Sequence, residues 1–296
     1  MWLVFALLSP LFWAMVHVLD AYCVDRVFEK PWMGVITSSL ASSIVVVIVP
    51  FLVPYGLRPM THWPLVGVAL LAGALIQISQ ACYFQALAYS EAGIVAAYWN
   101  MTPTFLPLAS YLLMGGVLDH THYLGIGLLI LTSVSFCLLD VHFFTRWRSF
   151  FLMVLASILQ VAAILLEKYF FDREPFLLGF LFITLGIILA GSMPLLIPTV
   201  RHSFTANLPK LRSAALVLIG IEVINLVALF MSQQAVNLGI PSLVAAVETM
   251  IPAYAFLLSL FLAMVVPRFG DPETHHRLPA KLALVTIMAL GVWMIS

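Results

Sequence analysis

Ten runs of roughly twenty mostly apolar residues, separated by short polar breaks, dominate this chain. They cover residues 2–23, 32–54, 64–88, 92–114, 121–139, 149–170, 176–198, 214–236, 241–265 and 279–295 of 296. A hydrocarbon core about 30 Å thick takes about 20 apolar residues per helix, so each run predicts a membrane-spanning helix. Hydrophobic residues make up 63% of the chain and charged residues 9%, against about 25% charged in a typical soluble domain. That much apolar surface cannot be hidden in one soluble core of this length. Most of it must face lipid or other helices. The breaks carry turn and loop chemistry, as at Glu29, Lys30 and Pro31, at Pro54, Gly56, Arg58 and Pro59, at Asp172 to Pro175, and at Gly270, Asp271 and Pro272. Runs three and four are joined around Ser90 and Glu91, and runs eight and nine around Gly239 and Pro241. Connections this short predict tight helical hairpins.

The chain also contains itself twice. Asp20, Tyr22, Asp25 and Arg26 recur as Glu167, Tyr169, Asp172 and Arg173, an offset of 147. Val95, Ala96, Ala97, Met101 and Pro103 recur as Val244, Ala245, Ala246, Met250 and Pro252, an offset of 149. Two independent matches at nearly one offset divide the chain into residues 1–142 and 143–296, each a five-helix repeat within one integrated membrane domain. A unit that crosses the membrane an odd number of times places its successor in the opposite orientation. The expected fold class is therefore an all-α membrane protein whose ten transmembrane helices form two inverted five-helix repeats, an arrangement that in secondary transporters surrounds a midplane site.

Several classes of function are disfavoured. The formal net charge is zero, so no basic face offers itself to nucleic acid. Cys23, Cys82 and Cys137 lie in or beside apolar runs without paired spacing, and read as small apolar residues. Asp119, His120 and His122, and Asp271, Glu273, His275 and His276, are metal-ligand residue types in loops of no recognised spacing. They read as solvated loops, and no metal site is expected. Asn100, Met101 and Thr102 fit the glycosylation pattern but fall inside a run. No phosphate-binding glycine loop, zinc-protease helix or nucleophile elbow is present, so neither an enzyme nor a cofactor is expected. No Lys or Arg precedes Arg26 and no small-residue cleavage site follows the first run, which reads as a retained span.

Loops on the side reached after the first run carry Arg26, Lys30, Arg146, Arg148, Arg201, Lys210, Arg212, Arg268, Arg277 and Lys281. The opposite loops carry Arg58 and Arg173, with Lys168 near a helix end. An excess of Lys and Arg marks the cytoplasmic side, which places both termini outside.

Polar residues inside the runs carry the functional argument, because charge at mid-membrane is costly. Glu222, Asn225 and Gln233 share one helical face. Glu248 lies near the middle of run nine, beside Thr249 and a turn before Pro252. Glu222 and Glu248 could share a proton or hold a cation; the alternative is that each is simply hydrogen-bonded between helices. Ser9, Trp13, His17 and Asp20 form a second face on run one, matched on run six by Gln160 and Glu167. Asp20 and Glu167 lie near helix ends, where anchoring at interfacial water competes with a role in transport. Gln77 and Gln80 follow each other on run three. Tyr98, Trp99, Asn100 and Thr102 precede Pro103 and Pro107 on run four, where the prolines free backbone carbonyls. Aromatic rings with an amide suit a small organic solute, and a carboxylate beside them suits an ammonium group. Packing is the alternative for Tyr98 and Trp99.

Ala86, Leu87, Ala88 and Tyr89, followed by Ala92, Gly93, Ala96, Ala97 and Pro103, and repeated more loosely from Gln234 to Pro252, resemble the drug/metabolite transporter superfamily, especially its EamA-type branch. The resemblance covers the whole chain in plan and about 20 sharp positions per half. It implies a cavity lined by spans one, three, four, six, eight and nine, alternating access, and export or uptake of small organic solutes. It also implies cytoplasmic termini, opposite to the charge count. The chain departs from the pattern at Gly115 and Gly116, where a Gly-Glu pair is common, and near Asp20, where a basic residue is common.

The functional expectation is a secondary transporter of a small organic metabolite, of the amino acid or organic amine class, coupled to protons or cations. Trp13, His17, Gln77, Gln80, Tyr98, Trp99, Asn100 and Asn225 would bind substrate, and Glu222 and Glu248 would carry the coupling ion. The expected partners are the substrate and the lipid bilayer, with no nucleic acid; a homodimer is compatible with the sequence. The expected setting is the bacterial inner membrane. The competing expectation is a non-transporting scaffold or assembly partner, which calls for a dry, closed interior.

Overall fold

The computed structural model describes residues 1–52, 62–90, 92–139, 147–265 and 277–296. The expected boundary between repeats at 142/143, the break at 54–59 and the Asp271–His276 group lie outside the described residues. Every regular element among the described residues is helical. In chain order they are α1 (Trp2–Arg26), α2 (Trp32–Ala41), α3 (Ser43–Leu52), α4 (Leu65–Leu87), α5 (Ala92–Trp99), α6 (Met101–Met114), α7 (His120–Leu138), α8 (Trp147–Phe171) and α9 (Phe176–Ser192). A short 3₁₀ turn (Met193–Leu196) leads to α10 (Pro198–Ala206), α11 (Leu208–Ser213), α12 (Ala215–Leu238), α13 (Pro241–Glu248), α14 (Ile251–Val265) and α15 (Leu278–Ile295).

Among the described residues, eight helical segments are long and apolar enough to cross a membrane. They begin at Trp2, Leu65, His120, Trp147, Phe176, Ala215, Pro241 and Leu278. The two remaining expected spans are not continuous helices. The run at 92–114 is broken at Asn100 into α5 and α6, and the run at 32–54 is broken at Ser42 into α2 and α3. Pro103 explains the first break: it has no N–H for the Trp99 carbonyl, and its ring crowds that carbonyl. Pro252 acts the same way on Glu248, where α13 stops. At both breaks the chain tightens to i→i−3 bonds, from Asn100 N–H to Ala97 O (3.3 Å) and from Thr249 N–H to Ala246 O (3.2 Å). No proline sits at Ser42. There the break coincides with a serine whose hydroxyl leaves its own helix for Glu222.

The bundle is apolar outside and packed mostly with apolar side chains inside, but it also buries polar groups. Leu216 is 86% exposed and Trp293 73%, whereas Gln77 is 3% exposed and Gln233 1%. In lipid no hydrophobic force drives helix against helix, so small residues that permit close backbone approach decide the contacts. The broadest contacts are α4 with α8, α4 with α9, α1 with α12, and α7 with α15. Gly73 and Gly186 set the α4–α9 contact, where each backbone fills the space a side chain on the other would need. On α7 a Cβ at Gly125 would meet Ile295 Cγ2 at 2.5 Å. Gly115 ends α6 in the left-handed region (φ 67°), as its missing Cβ allows.

Candidate functional site

Three adjoining clefts run through the interior. The first lies between α1, α2, α4 and α12 and includes Glu222 in its wall. Glu222 is 3% exposed. Ser38 donates to its Oε2 (2.8 Å), and Ser42 and Asn225 (3.1 Å) donate to its Oε1. Gln77, a wall of the same cleft, donates to the Val35 carbonyl (2.9 Å) and so ties α4 to α2. Trp13, Asp20, Gln80 and Phe84 complete the polar and aromatic lining.

The second cleft shares Trp13, Asp20 and Gln80 with the first and adds His17, Tyr83, Trp99, Gln160, Glu167, Gln233 and Glu248. Its aromatic groups form one edge-to-face cluster: His17 to Tyr83 at 5.2 Å, Tyr83 to Trp99 at 5.7 Å, Trp13 to His17 at 6.3 Å. The Tyr83 hydroxyl and His17 Nδ1 are 3.1 Å apart. Gln233 donates to Glu167 Oε1 (2.7 Å), joining α12 to α8.

The third cleft shares His17, Trp99, Gln160 and Glu248 with the second and adds Asn100, Thr102, Ser133 and Thr249. Ser9 (3.4 Å) and Ser232 donate to Glu248 Oε1. Asn100 turns its side-chain amide back onto the Ala96 and Ala97 carbonyls at the helix break (3.3 and 3.2 Å). Thr102 Oγ1 and Ser133 Oγ are buried with no hydrogen-bond partner among the described residues, so both can meet a polar solute.

The clefts thus gather Trp13, His17, Gln77, Gln80, Trp99, Asn100, Asn225, Glu222 and Glu248. The structure departs from expectation at three points. Glu222 and Glu248 do not share a proton: Ser232, which holds Glu248, lies roughly three turns further along α12 than Glu222, about 15 Å of helix axis. Gln233, read on the same face of α12 as Glu222 and Asn225, donates to Glu167. Tyr98 lines none of the three clefts and packs edge-on against Phe150 at 5.4 Å, because it precedes Trp99 by one residue and points about 100° away from it around α5. Glu167 is buried, and Asp20 lines two clefts, so neither is an interfacial anchor.

Span two also belongs to the site, through Ser38 and Ser42. These serines, Ser232 and Tyr83 escaped the sequence reading. Serine is common in membrane helices, and only a partner on another helix distinguishes a site hydroxyl from one bonded to its own backbone. Among the described residues no group of three His, Cys, Asp or Glu is placed to hold a metal.

A bundle of many long apolar helices, with exposed apolar surface and polar clefts in its interior, is an integral, multi-pass membrane protein. Residues 1–138 match the EamA-like transporter family, part of the drug/metabolite transporter superfamily, so the resemblance read from the sequence is borne out over that segment. Members of that family are membrane transporters, not enzymes. A solved crystal structure, described as "Crystal structure of protein", overlays with a TM-score of 0.70 at 12% identity, covering 100% of this chain and 96% of that one. At that identity the likeness shows the fold alone. No curated protein matches.

Proposed function

We propose that the protein is a secondary transporter of a small organic metabolite, of the amino acid or organic amine class, coupled to protons or cations and working by alternating access in a bacterial inner membrane. One observation carries this reading: polar side chains from α1, α2, α4, α8, α12 and α13 converge on a continuous series of clefts inside an apolar bundle. A scaffold has no use for such an interior. Glu222 and Glu248 act as the coupling carboxylates, each held by neutral hydroxyl or amide donors that serve an ionised or a protonated acid. Trp13, His17, Gln77, Gln80, Trp99, Asn100 and Asn225 shape the substrate pocket.

The proposed frame is ten spans in two inverted repeats, with the broken helices α2–α3, α5–α6 and α13–α14 counted as one span each. The contacts support it. A shift of about 147 residues carries α4 onto α12 and α8 onto α1, and the α4–α8 contact is matched by the α12–α1 contact. The same shift carries α4–α9 onto α12–α2, and here the match fails: α4 and α9 are packed backbone to backbone, whereas the α12–α2 contact is sparse. A gate packed backbone to backbone, beside a duplicate bridged only through side chains such as Ser38, Ser42 and Glu222, is what a rocking carrier presents in one of its two end states.

The test is uptake into proteoliposomes driven by a pH gradient. Glu222→Gln and Glu248→Gln each abolish it while the purified variants keep the wild-type elution profile and melting behaviour. Wild-type uptake by both variants removes the coupling role.

A further inference from the structure

We propose that Asp20 is the specificity-determining residue of the substrate site, and that it selects an organic ammonium compound over a zwitterion or an anion. The inference rests on the transporter reading and narrows its substrate class. The other three carboxylates of the clefts each have donors: Ser38, Ser42 and Asn225 for Glu222, Ser9 and Ser232 for Glu248, and Gln233 for Glu167. Asp20 has no hydrogen-bond or ion-pair partner among the described residues, although it lines both of the first two clefts. An ionised carboxylate that is half-buried and has no partner is costly, and the partner that relieves the cost is a cation brought by the cargo.

The walls fit that cation. Trp13 lines both clefts beside Asp20, and Tyr83 and Trp99 line the second. Aromatic faces attract ammonium groups, more so where water is excluded. Gln80 and Gln160 supply neutral polar contacts for the remainder of the molecule. No Lys or Arg is among the described lining residues of the three clefts. A substrate carboxylate would therefore enter a space holding several acids and, apart from the His17 imidazole, no basic side chain among the described lining residues, and like charges in a low dielectric repel strongly. Glu167, the duplicate of Asp20 at offset 147, is satisfied by Gln233, so only the first half of the repeat presents an open acid.

The experiment keeps the carbon frame and changes the charge. Binding of phenethylammonium, phenylalanine and 3-phenylpropionate to the purified full chain in nanodiscs is measured by calorimetry, with Asp20→Asn and Asp20→Glu alongside. Phenethylammonium binds, phenylalanine binds about tenfold more weakly or worse, and phenylpropionate does not bind. Asp20→Asn weakens phenethylammonium about tenfold or more and Asp20→Glu restores part of the loss, with both variants melting as wild type does. Equal binding of the three probes, absence of phenethylammonium binding, or unchanged binding in a folded Asp20→Asn overturns the inference. Should Asp20→Asn fail to fold, the charge series on the wild type decides. PH-driven uptake of a metabolite that is not a cation leaves the transporter reading standing without this inference. Wild-type uptake by both glutamine variants of Glu222 and Glu248 removes the coupling role whatever Asp20 does.

Discussion

Gly73 of α4 approaches Ile183 of α9 so closely that a Cβ built on the glycine would stand 1.9 Å from the Ile183 carbonyl oxygen. The approach is mutual, since a Cβ on Gly186 would stand 2.3 Å from the Leu70 carbonyl oxygen. The duplicate of Gly73 at offset 147 is Gly220 on α12, where an added Cβ would meet no atom of another element within 4 Å. Gly73→Ala therefore forces two backbones apart and costs about 1–3 kcal/mol, read as a lower melting temperature in detergent. Gly220→Ala changes stability by less than about 0.5 kcal/mol. If α2 closes on α12 in the other half of the cycle, Gly220→Leu melts normally yet transports at about a tenth of the wild-type rate or less, a barrier of about 1.4 kcal/mol. Normal transport by that variant removes the gating role of Gly220.

The donors on Glu222 come from two helices, Ser38 and Ser42 on the second span and Asn225 on α12. Replacing both serines by alanine leaves a buried acid short of donors and costs about 1–3 kcal/mol. Adding Glu222→Gln to that background recovers part of the loss, because a neutral amide is less costly to leave short of donors. A double-mutant cycle on melting free energies is expected to give a coupling of about 0.5–3 kcal/mol. A coupling of zero would mean that the serines do not serve the acid.

Gln233 and Glu167 are both buried and bonded at 2.7 Å. Gln233→Leu strands the acid and costs about 1–3 kcal/mol, while Gln233→Leu with Glu167→Leu returns toward wild-type stability, since replacing both members by apolar groups leaves no orphan. Chemical denaturation in mixed micelles distinguishes the two outcomes.

Lys168 meets Asp172 at 2.8 Å and also donates to the Asn237 carbonyl at 3.3 Å. The Asp172 side chain is 46% exposed, so its share of the pair is worth about 0.5 kcal/mol or less. Asp172→Ala melts close to wild type. Lys168→Ala falls further, because it also unfastens α8 from the end of α12.

The sequence made the helical membrane class legible because runs of about twenty apolar residues admit few other outcomes. The faces of Trp13, His17 and Asp20, of Gln77 and Gln80, and of Glu222 and Asn225 were legible too, because helical spacing alone places them together. Which faces meet was not. That Gln233 belongs to Glu167, or that Ser42 reaches Glu222, depends on how helices distant in the chain cross. Tyr98 and Trp99 show the limit most simply: adjacent residues of equal chemical promise point about 100° apart on α5, and only the neighbouring helices decide which one faces the clefts.

The acids Asp20, Glu167, Glu222 and Glu248 occupy one connected interior, and no described lining residue of the clefts is Lys or Arg. For a carrier built this way, reorienting with the interior vacated and ionised would drag several negative charges through a medium that solvates them poorly. Its return stroke is therefore quick only when protons or a counter-substrate have taken the place of the released cargo. Such a machine exchanges one positive load for another and idles when offered none, which is how it avoids dissipating the gradient that drives it.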